Sequence, residues 1–259
     1  MILPYIDPII FEIGPLAIRW YGLTWLIAIL LIYGISRYRI RTVKKWDDDK
    51  LQEFIFYGLL GAILGGRIGY MVFYNINQLI ADPLSIFYIW KGGLSFHGGL
   101  LGVLLFTYIF SKRKWESTFF ESTDFIAPAI PLGLGSVRIG NFLNSELLGR
   151  STDASWGVIY PNDPTGLIRH PSQLYQAATE GIILFIFLYW FSRSERPSKS
   201  ISAMFLIGYG TLRFITEFFR EPDPHIGYEY LDIFTRGQIL CIPMILIGIM
   251  LLFISYKKV

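Results

Sequence analysis

The sequence predicts an all-α polytopic membrane protein with seven transmembrane helices. Of its 259 residues 53% are apolar and only 17% charged, with a mean hydropathy of +0.46, which is not the balance of a soluble domain. The apolar residues gather into runs long enough for tilted helices to cross ~30 Å of hydrocarbon. Lysines and arginines cluster between alternate runs, as in a chain threaded repeatedly through a bilayer. The net charge of +3 is small and gives no reason to expect a nucleic-acid partner.

The predicted spans are Trp20–Ser36, Phe54–Tyr74, Leu94–Phe110, Phe125–Leu143, Tyr175–Phe191, Ser202–Phe219 and Gln238–Tyr256. Ahead of the first, Met1-Ile-Leu-Pro-Tyr-Ile-Asp-Pro8 lacks a basic n-region and does not read as a cleaved signal peptide. Span one opens on Arg19-Trp20-Tyr21-Gly22, an aromatic belt by the simplest reading. It is followed by Arg37, Arg39, Arg41, Lys44, Lys45 and Lys50. Lys112, Arg113 and Lys114 follow span three; Arg193, Arg196 and Lys199 follow span five; Lys257 and Lys258 follow span seven. Fourteen cations therefore fall on one side, against Arg19, Lys91, Arg150, Arg169, Arg220 and Arg236 on the other. This bias predicts an N-terminus outside and a C-terminus in the cytoplasm. Residues 144–174 form the longest outer connection, enough for a small extracytoplasmic head. The Glu221-Pro-Asp-Pro-His225 loop is acidic and turn-rich. Residues 1–259 read as a single integral-membrane domain without an appended soluble domain, so any chemistry lies in or at the membrane. The lone Cys241 sits in an apolar run, where a thiol is buried and inert, on what reads as the wrong helix and depth for a site.

Three arginines, Arg67, Arg138 and Arg213, fall inside spans. Each costs roughly 2.5–3.5 kcal/mol to insert, which makes each a functional candidate by default. Counted from the inner ends of spans two, four and six, they lie roughly 16–20 Å up, at one depth below the outer headgroups. A guanidinium fork matches phosphate, so a phospholipid head is the natural ligand there. The densest polar stretch is Gly135-Ser-Val-Arg138-Ile-Gly140-Asn141-Phe-Leu-Asn144-Ser-Glu146-Leu-Leu-Gly149. On a helix Arg138, Asn141 and Asn144 fan out about 60° apart. A capped helix end is the bland alternative, but a cap needs no arginine inside the apolar run. Tyr209, Arg213, Glu217 and Arg220 lie within about 80° of one helix face, where Glu217 also suits an i, i+4 pair with Arg213. Arg67, in Gly65-Gly66-Arg67-Ile-Gly69, reads either as a phosphate ligand or as an arginine bonded to nearby carbonyls in a close-packed helix. His97, framed by glycines in Lys91-Gly-Gly-Leu-Ser-Phe-His97-Gly-Gly99, reads either as structural or as a general base. His170 reads as the entry to span five and His225 as a loop residue; three scattered histidines predict no metal site.

At these residues the sequence resembles a known family. The stretch Arg138-Ile-Gly-Asn-Phe-Leu-Asn-Ser-Glu-Leu-Leu-Gly149 resembles the signature of the bacterial prolipoprotein diacylglyceryl transferases. Gly92–Gly99, His170-Pro-Ser-Gln-Leu-Tyr175, Tyr209-Gly-Thr-Leu-Arg213 through Phe218–Asp223, and Ile13-Gly-Pro with Trp20-Tyr-Gly22 resemble further blocks, in order along nearly the whole chain. The departures fall between Ser151 and Ile168. The resemblance implies a bacterial inner-membrane enzyme with a seven-helix body and a periplasmic head. It implies transfer of the diacylglyceryl group of phosphatidylglycerol to the lipobox cysteine of a prolipoprotein signal peptide, without metal or other cofactor. It implies catalytic roles for His97, Arg138 and Arg213. It also implies phosphatidylglycerol binding by Tyr21, Asn141, Glu146, Gly149 and Tyr209 with the arginine pair, to which the residue reading adds Asn144 and Arg67. Two other classes compete. A small transporter would use intramembrane charges, but its site belongs near the midplane; a lipid-binding scaffold would have no use for a framed histidine. Formation of a thioether-linked lipopeptide by purified protein separates the enzyme from both.

Overall fold

The computed structural model describes residues 1–14, 16–43, 45–222, 227–230 and 234–257. The expectations for Lys44, Asp223, His225 and Lys258 lie outside the described residues. In chain order the elements are β1 (Ile9–Ile13), β2 (Leu16–Arg19), α1 (Trp20–Ile40), α2 (Asp48–Tyr74), α3 (Ile76–Ala81), α4 (Phe96–Arg113), α5 (Phe119–Ile126) and α6 (Ile130–Leu143). Then come α7 (Ser172–Gln176), a π-helical stretch Ala177–Ile183, α8 (Leu184–Phe191), α9 (Ser200–Thr216), β3 (Tyr228–Tyr230), β4 (Phe234–Thr235) and α10 (Arg236–Lys257). The chain is predominantly helical. Two short antiparallel hairpins, β1–β2 and β3–β4, are strand elements that the apolar periodicity did not foretell.

Among the described residues, four helices are long and apolar enough to cross a membrane: α1, α2, the continuous helix Ser172–Phe191, and α10. A fifth is added if α5 and α6 count as one span. That pair occupies the predicted fourth span, which is broken because Pro128 and Pro131 cannot donate the amide hydrogen bonds a continuous helix needs. The predicted third and sixth spans are helices α4 and α9, of 18 and 17 residues. Neither is among the long apolar helices. Helix α4 carries the glycines and His97 at one end and Lys112 and Arg113 at the other, and α9 tightens into a 3-10 turn at Glu217–Phe219. Helix α2 starts earlier than its apolar run because Asp47 caps it, accepting from the Lys50 amide at 2.8 Å, with Asp48 and Asp49 in the first turn.

The chain forms two compact units, Ser36–Phe125 and the remainder, Met1–Ile35 with Ile126–Val259. In the first, α2 packs on α4 through facing glycines. A Cβ on Gly61 would stand 2.7 Å from the Gly102 carbonyl oxygen, and one on Gly69 would stand 2.9 Å from the Gly98 Cα. Backbones in contact at this spacing are how apolar helices associate where lipid removes the hydrophobic drive. Buried Trp46 stacks on Phe125 at 4.1 Å and packs edge-on to Phe54, closing one end of this unit.

In the second unit α6 lies against α1, where the Ser136 hydroxyl donates to the Thr24 carbonyl at 2.9 Å and Gly140 leaves room for the Thr24 side chain. Gly135 of α6 meets Gly181 of the π-helical stretch, again with no space for a Cβ. Residues 144–174 are mostly irregular in backbone, and Val158 and Tyr160 form a small core with Leu3, covered by Phe142 and Leu148. Ile2 pairs in parallel with Ile159, so the start of the chain is threaded into this segment.

The glycine seam yields a direct contrast. Replacing Gly102 by Leu is expected to lower the melting temperature of the detergent-solubilised protein by about 5 °C or more, through overpacking of the α2–α4 contact. Replacing Gly58 by Ala, where no atom lies within 4 Å of the added carbon, is expected to leave it unchanged or slightly raised. Equal shifts for the two variants, read by thermal unfolding, would remove the seam from the account.

Candidate functional site

The site is built at the end of α6. The helix stops at Leu143, with Asn144 as its cap, and the chain then turns through Ser145 and Leu147, both with φ of +54°. That left-handed backbone is costly for residues with a Cβ and is held by the Glu146 amide donating to the Asn141 carbonyl at 2.9 Å. The turn folds Glu146 back over the last helical turn. Its carboxylate accepts from Asn141 Nδ2 at 3.0 Å and from Asn144 Nδ2 at 3.2 Å, and Asn141 Oδ1 accepts from Arg138 Nη1 at 3.4 Å. The polar fan of the sequence is thus one relay, in which Glu146 reaches Arg138 through the buried amide of Asn141 and not directly. From below, Gln173 donates to the Glu146 carbonyl and accepts from the Tyr160 hydroxyl at 2.9 Å, which ties the turn to α7.

Helix α9 supplies the second guanidinium. Arg213 Nη2 lies 2.7 Å from Glu217 Oε2, and Nη1 lies 3.8 Å from Glu180 Oε1. Among the described residues, Arg213 Nη1 has no hydrogen-bond partner and neither has Glu180 Oε2, although both are buried. Glu217 is fully buried and is matched on its other side by Arg220 Nη1 at 2.9 Å and the Thr235 hydroxyl at 3.1 Å. Thr235 and Gln238 cap α10 reciprocally, side chain to amide, at 3.3 and 3.0 Å, the two-way arrangement of a capping box. The end of α9 and the start of α10 are therefore joined through Glu217. Tyr209, one turn before Arg213, lies in electrostatic contact with both Arg138 and Arg213 and within hydrogen-bonding reach of Arg138. The four-residue stripe expected on this helix is realised, and it meets the α6 fan.

Several expectations are refined. Gly149 is explained by packing, because a Cβ there would overlap the His170 carbonyl. Tyr21 begins α1 one turn before Thr24, on the helix that supports α6, and its ring packs edge-on to Trp25 at 6.4 Å. His170 precedes α7 and contacts Tyr175, whose hydroxyl lies 3.1 Å from Nδ1, and Phe219. Cys241 is buried, as expected, but the assignment to a remote depth is corrected: it packs opposite Gly210 and feels the charges of Arg213, Glu180 and Glu217.

Arg67 and His97 belong to the other compact unit. Of the two readings of Arg67, the structure shows the carbonyl-bound one. Its buried guanidinium donates to Ile86 O at 3.1 Å, Ser85 O at 2.7 Å, Gly92 O, and Gly93 O at 3.3 Å. It pins the loop that leads into α4, where Gly92 and Gly93 both take positive φ. Ser95 caps α4 through the Gly98 amide at 3.3 Å. His97 follows in the first turn, exposed, with its ring edge-on to Phe96 at 5.6 Å.

The sequence reading missed Glu180, Gln173, Thr216 and Thr235. Glu180 had a signal, since it is the single acidic residue in the Tyr175–Phe191 run, and intramembrane carboxylates are functional by default. It sits in the π-helical stretch, a geometry that recurs at functional sites, and its Oε1 accepts from Thr216 at 2.7 Å. Gln173 and the threonines look like ordinary polar helix residues until the fold assembles them.

Fold and site together define a multi-pass helical membrane protein whose buried polar cluster is organised around two guanidiniums. Residues 8–254 match the family profile of prolipoprotein diacylglyceryl transferase. The chain is 47% identical over 258 residues to the phosphatidylglycerol–prolipoprotein diacylglyceryl transferase of Acinetobacter baylyi, covering 98% of this chain and 94% of that protein. It is 48% identical over 255 residues to the protein of the same name from Coxiella burnetii, covering 98% and 97%. The chain belongs to the prolipoprotein diacylglyceryl transferase family.

The 144–174 segment is tied to the α9 end by Arg169, which donates to Asp163 Oδ2 at 2.6 Å, Gly149 O at 3.1 Å, Thr165 Oγ1 at 3.2 Å and Glu221 at 3.3 Å. The Arg169 guanidinium, then hydrogen bonds from Thr165, hold the Asp163 carboxyl down at about 2, against an ordinary 3.8. A depressed folded pKa stabilises above the unfolded value and loses that stability as pH falls from 3.8 toward 2. With screening by solvent the contribution is about 1 kcal/mol. Asp163→Asn is expected to lower the melting temperature by about 2–4 °C at pH 6.5 and by much less at pH 2. A difference that is the same at both pH values, in paired melting curves, would show that the ion pair is not its source.

Proposed function

We propose that the protein transfers the sn-1,2-diacylglyceryl group of phosphatidylglycerol to the lipobox cysteine thiol of prolipoproteins. The observation that carries this reading is the guanidinium pair. Arg138 and Arg213, both half-buried, lie in electrostatic contact with Tyr209; Glu146 orients the first through Asn141 and Glu217 pairs with the second, whose Nη1 makes no hydrogen bond. Family membership and the names of its relatives support it.

The chemistry is an alkyl transfer. A cysteine thiolate attacks C3 of the diacylglyceryl moiety, the C–S bond forms, and the C–O bond to phosphate breaks, releasing glycerol phosphate. The leaving phosphate gains charge as that bond breaks. Donors already fixed toward it stabilise the transition state more than the ground state. Arg138 and Arg213 are those donors, and their carboxylate and amide supports keep them from reorganising during the step. Asn144 and Tyr209 bind the lipid head beside them, together with Tyr21, and Gly149 keeps the adjoining turn close to the His170 backbone. The thiol has an ordinary pKa near 8.5, so a base aids thiolate formation; His97 takes that proton. The nucleophile is the substrate's cysteine, and Cys241 supplies none.

In this reading all seven predicted helices cross the bacterial inner membrane, including α4, the broken α5–α6 pair and α9. The N-terminus lies outside, segment 144–174 is a periplasmic head, and the site opens to the periplasmic side. The charge bias of the loops supports that orientation.

The test is transfer of diacylglyceryl to a lipobox peptide in phosphatidylglycerol micelles. Arg138→Ala and Arg213→Ala are each expected to lose about 10²–10³-fold in turnover, and His97→Gln about 10²-fold or more at neutral pH. Wild-type protein that binds lipid and peptide yet forms no thioether would end the enzyme reading. Near-normal turnover by His97→Gln alone would leave the arginines as the catalysts and return His97 to packing.

A further inference from the structure

We infer that Glu180 is an internal counter-ion that weakens the hold of the site on the phosphate monoester product more than on the phosphodiester substrate. The inference rests on the reading above for the identity of the two anions. Glu180 is 1% exposed and lies in the π-helical stretch. It faces Arg138 from α6, Tyr209, Arg213 and Thr216 from α9, Glu217 from the turn after α9, and Cys241 from α10. The Thr216 hydroxyl donates to its Oε1 at 2.7 Å, and the Arg213 guanidinium lies 3.8 Å from the same oxygen.

Glu180 is poorly suited to be a mere support for Arg213. Glu217 Oε2 lies nearer that guanidinium, 2.7 Å from Nη2, whereas Glu180 stays 3.8 Å from Nη1; neither contact has hydrogen-bond geometry. The carboxylate leaves that edge of Arg213 free for an anion while placing a negative charge beside it. Neither arginine would survive in an apolar surround without such partners, and once a phosphate has entered, the same charge acts against it. The electrostatic work scales with the charge of the ligand. Phosphatidylglycerol carries a phosphodiester monoanion, whereas released glycerol phosphate approaches a dianion above its second pKa of about 6. Removing the Glu180 charge therefore acts on the product with twice the energy it exerts on the substrate. Its effect on product affinity is the square of its effect on substrate affinity.

The experiment compares wild type, Glu180→Gln and Glu180→Asp in the micelle assay at pH 8, measuring KM for phosphatidylglycerol and Ki for glycerol phosphate. Glu180→Gln is expected to lower KM by about threefold and Ki by about tenfold, with Glu180→Asp close to wild type in both. Equal factors in KM and Ki, or an unchanged Ki, overturn the inference, since a purely structural residue has no reason to distinguish one charge from two. Should Glu180→Gln not fold, wild type decides by its pH series. Inhibition by glycerol phosphate is expected to stay flat or weaken as pH rises from 5 to 8, while inhibition by the deacylated phosphodiester head stays flat. A tenfold strengthening by the monoester over that range overturns the inference. If wild type shows no transfer, the enzyme reading fails separately, and the inference is then judged on the direct binding constants of the same two anions to wild type and Glu180→Gln.

Discussion

Everything at this site depends on how charge is kept inside an apolar surround. Arg213 and Arg220 are each a liability in a helical membrane protein, and Glu217 resolves both at once. Fully buried, it pairs with Arg213 at 2.7 Å and Arg220 at 2.9 Å and accepts the Thr235 hydroxyl at 3.1 Å. Losing this carboxylate would break buried ion pairs to both guanidiniums, and breaking a buried pair in proteins destabilises by about 3–5 kcal/mol. The Thr235 contact binds the end of α9 to the start of α10, so the fold and the cation pair are secured by one residue.

The second constraint is steric. Where α6 meets α1 and the π-helical stretch, and where α2 meets α4, glycine lets the backbones approach until no Cβ fits. Lipid offers no hydrophobic reward for bringing apolar helices together, so close backbone contact must do that work. The polar cluster needs this rigidity. A relay such as Glu146–Asn141–Arg138, built from bonds of 3.0 and 3.4 Å, orients its guanidinium only while α6 keeps its place.

What the sequence could show followed from distance along the chain. Arg138, Asn141, Asn144 and Glu146 lie within nine residues, and helical geometry with one turn is enough to bring them together. Arg213 with Glu217 is a one-turn pair and was equally plain. Glu180 was overlooked because its partners Arg213 and Thr216 are more than thirty residues away, and nothing local announces them. Arg67 was left between two readings for the same reason, since its carbonyl partners belong to the irregular stretch from Ser85 to Gly93. The apolar runs located helices at all seven expected positions, yet length and hydropathy averages passed over Pro128 and Pro131, where backbone chemistry breaks the fourth. The hairpins β1–β2 and β3–β4 are too short for their alternation to stand out.

A π-helical stretch has a consequence for how this gene can change. Seven residues, Ala177–Ile183, are wound more widely than an α-helix, so the helix from Ser172 to Phe191 accommodates a residue that a regular helix would not. Deleting one codon there would let the coil close into ordinary α-helix with both flanks still facing as they do, whereas deleting one from the regular turns of α7 would swing everything on one side by about 100° about the axis. Gln173, which props the signature turn, and Leu184 and Leu188, which are buried beyond it, could then no longer both face inward. Single substitutions along this helix can be explored one at a time; its length can change only within the wide turns.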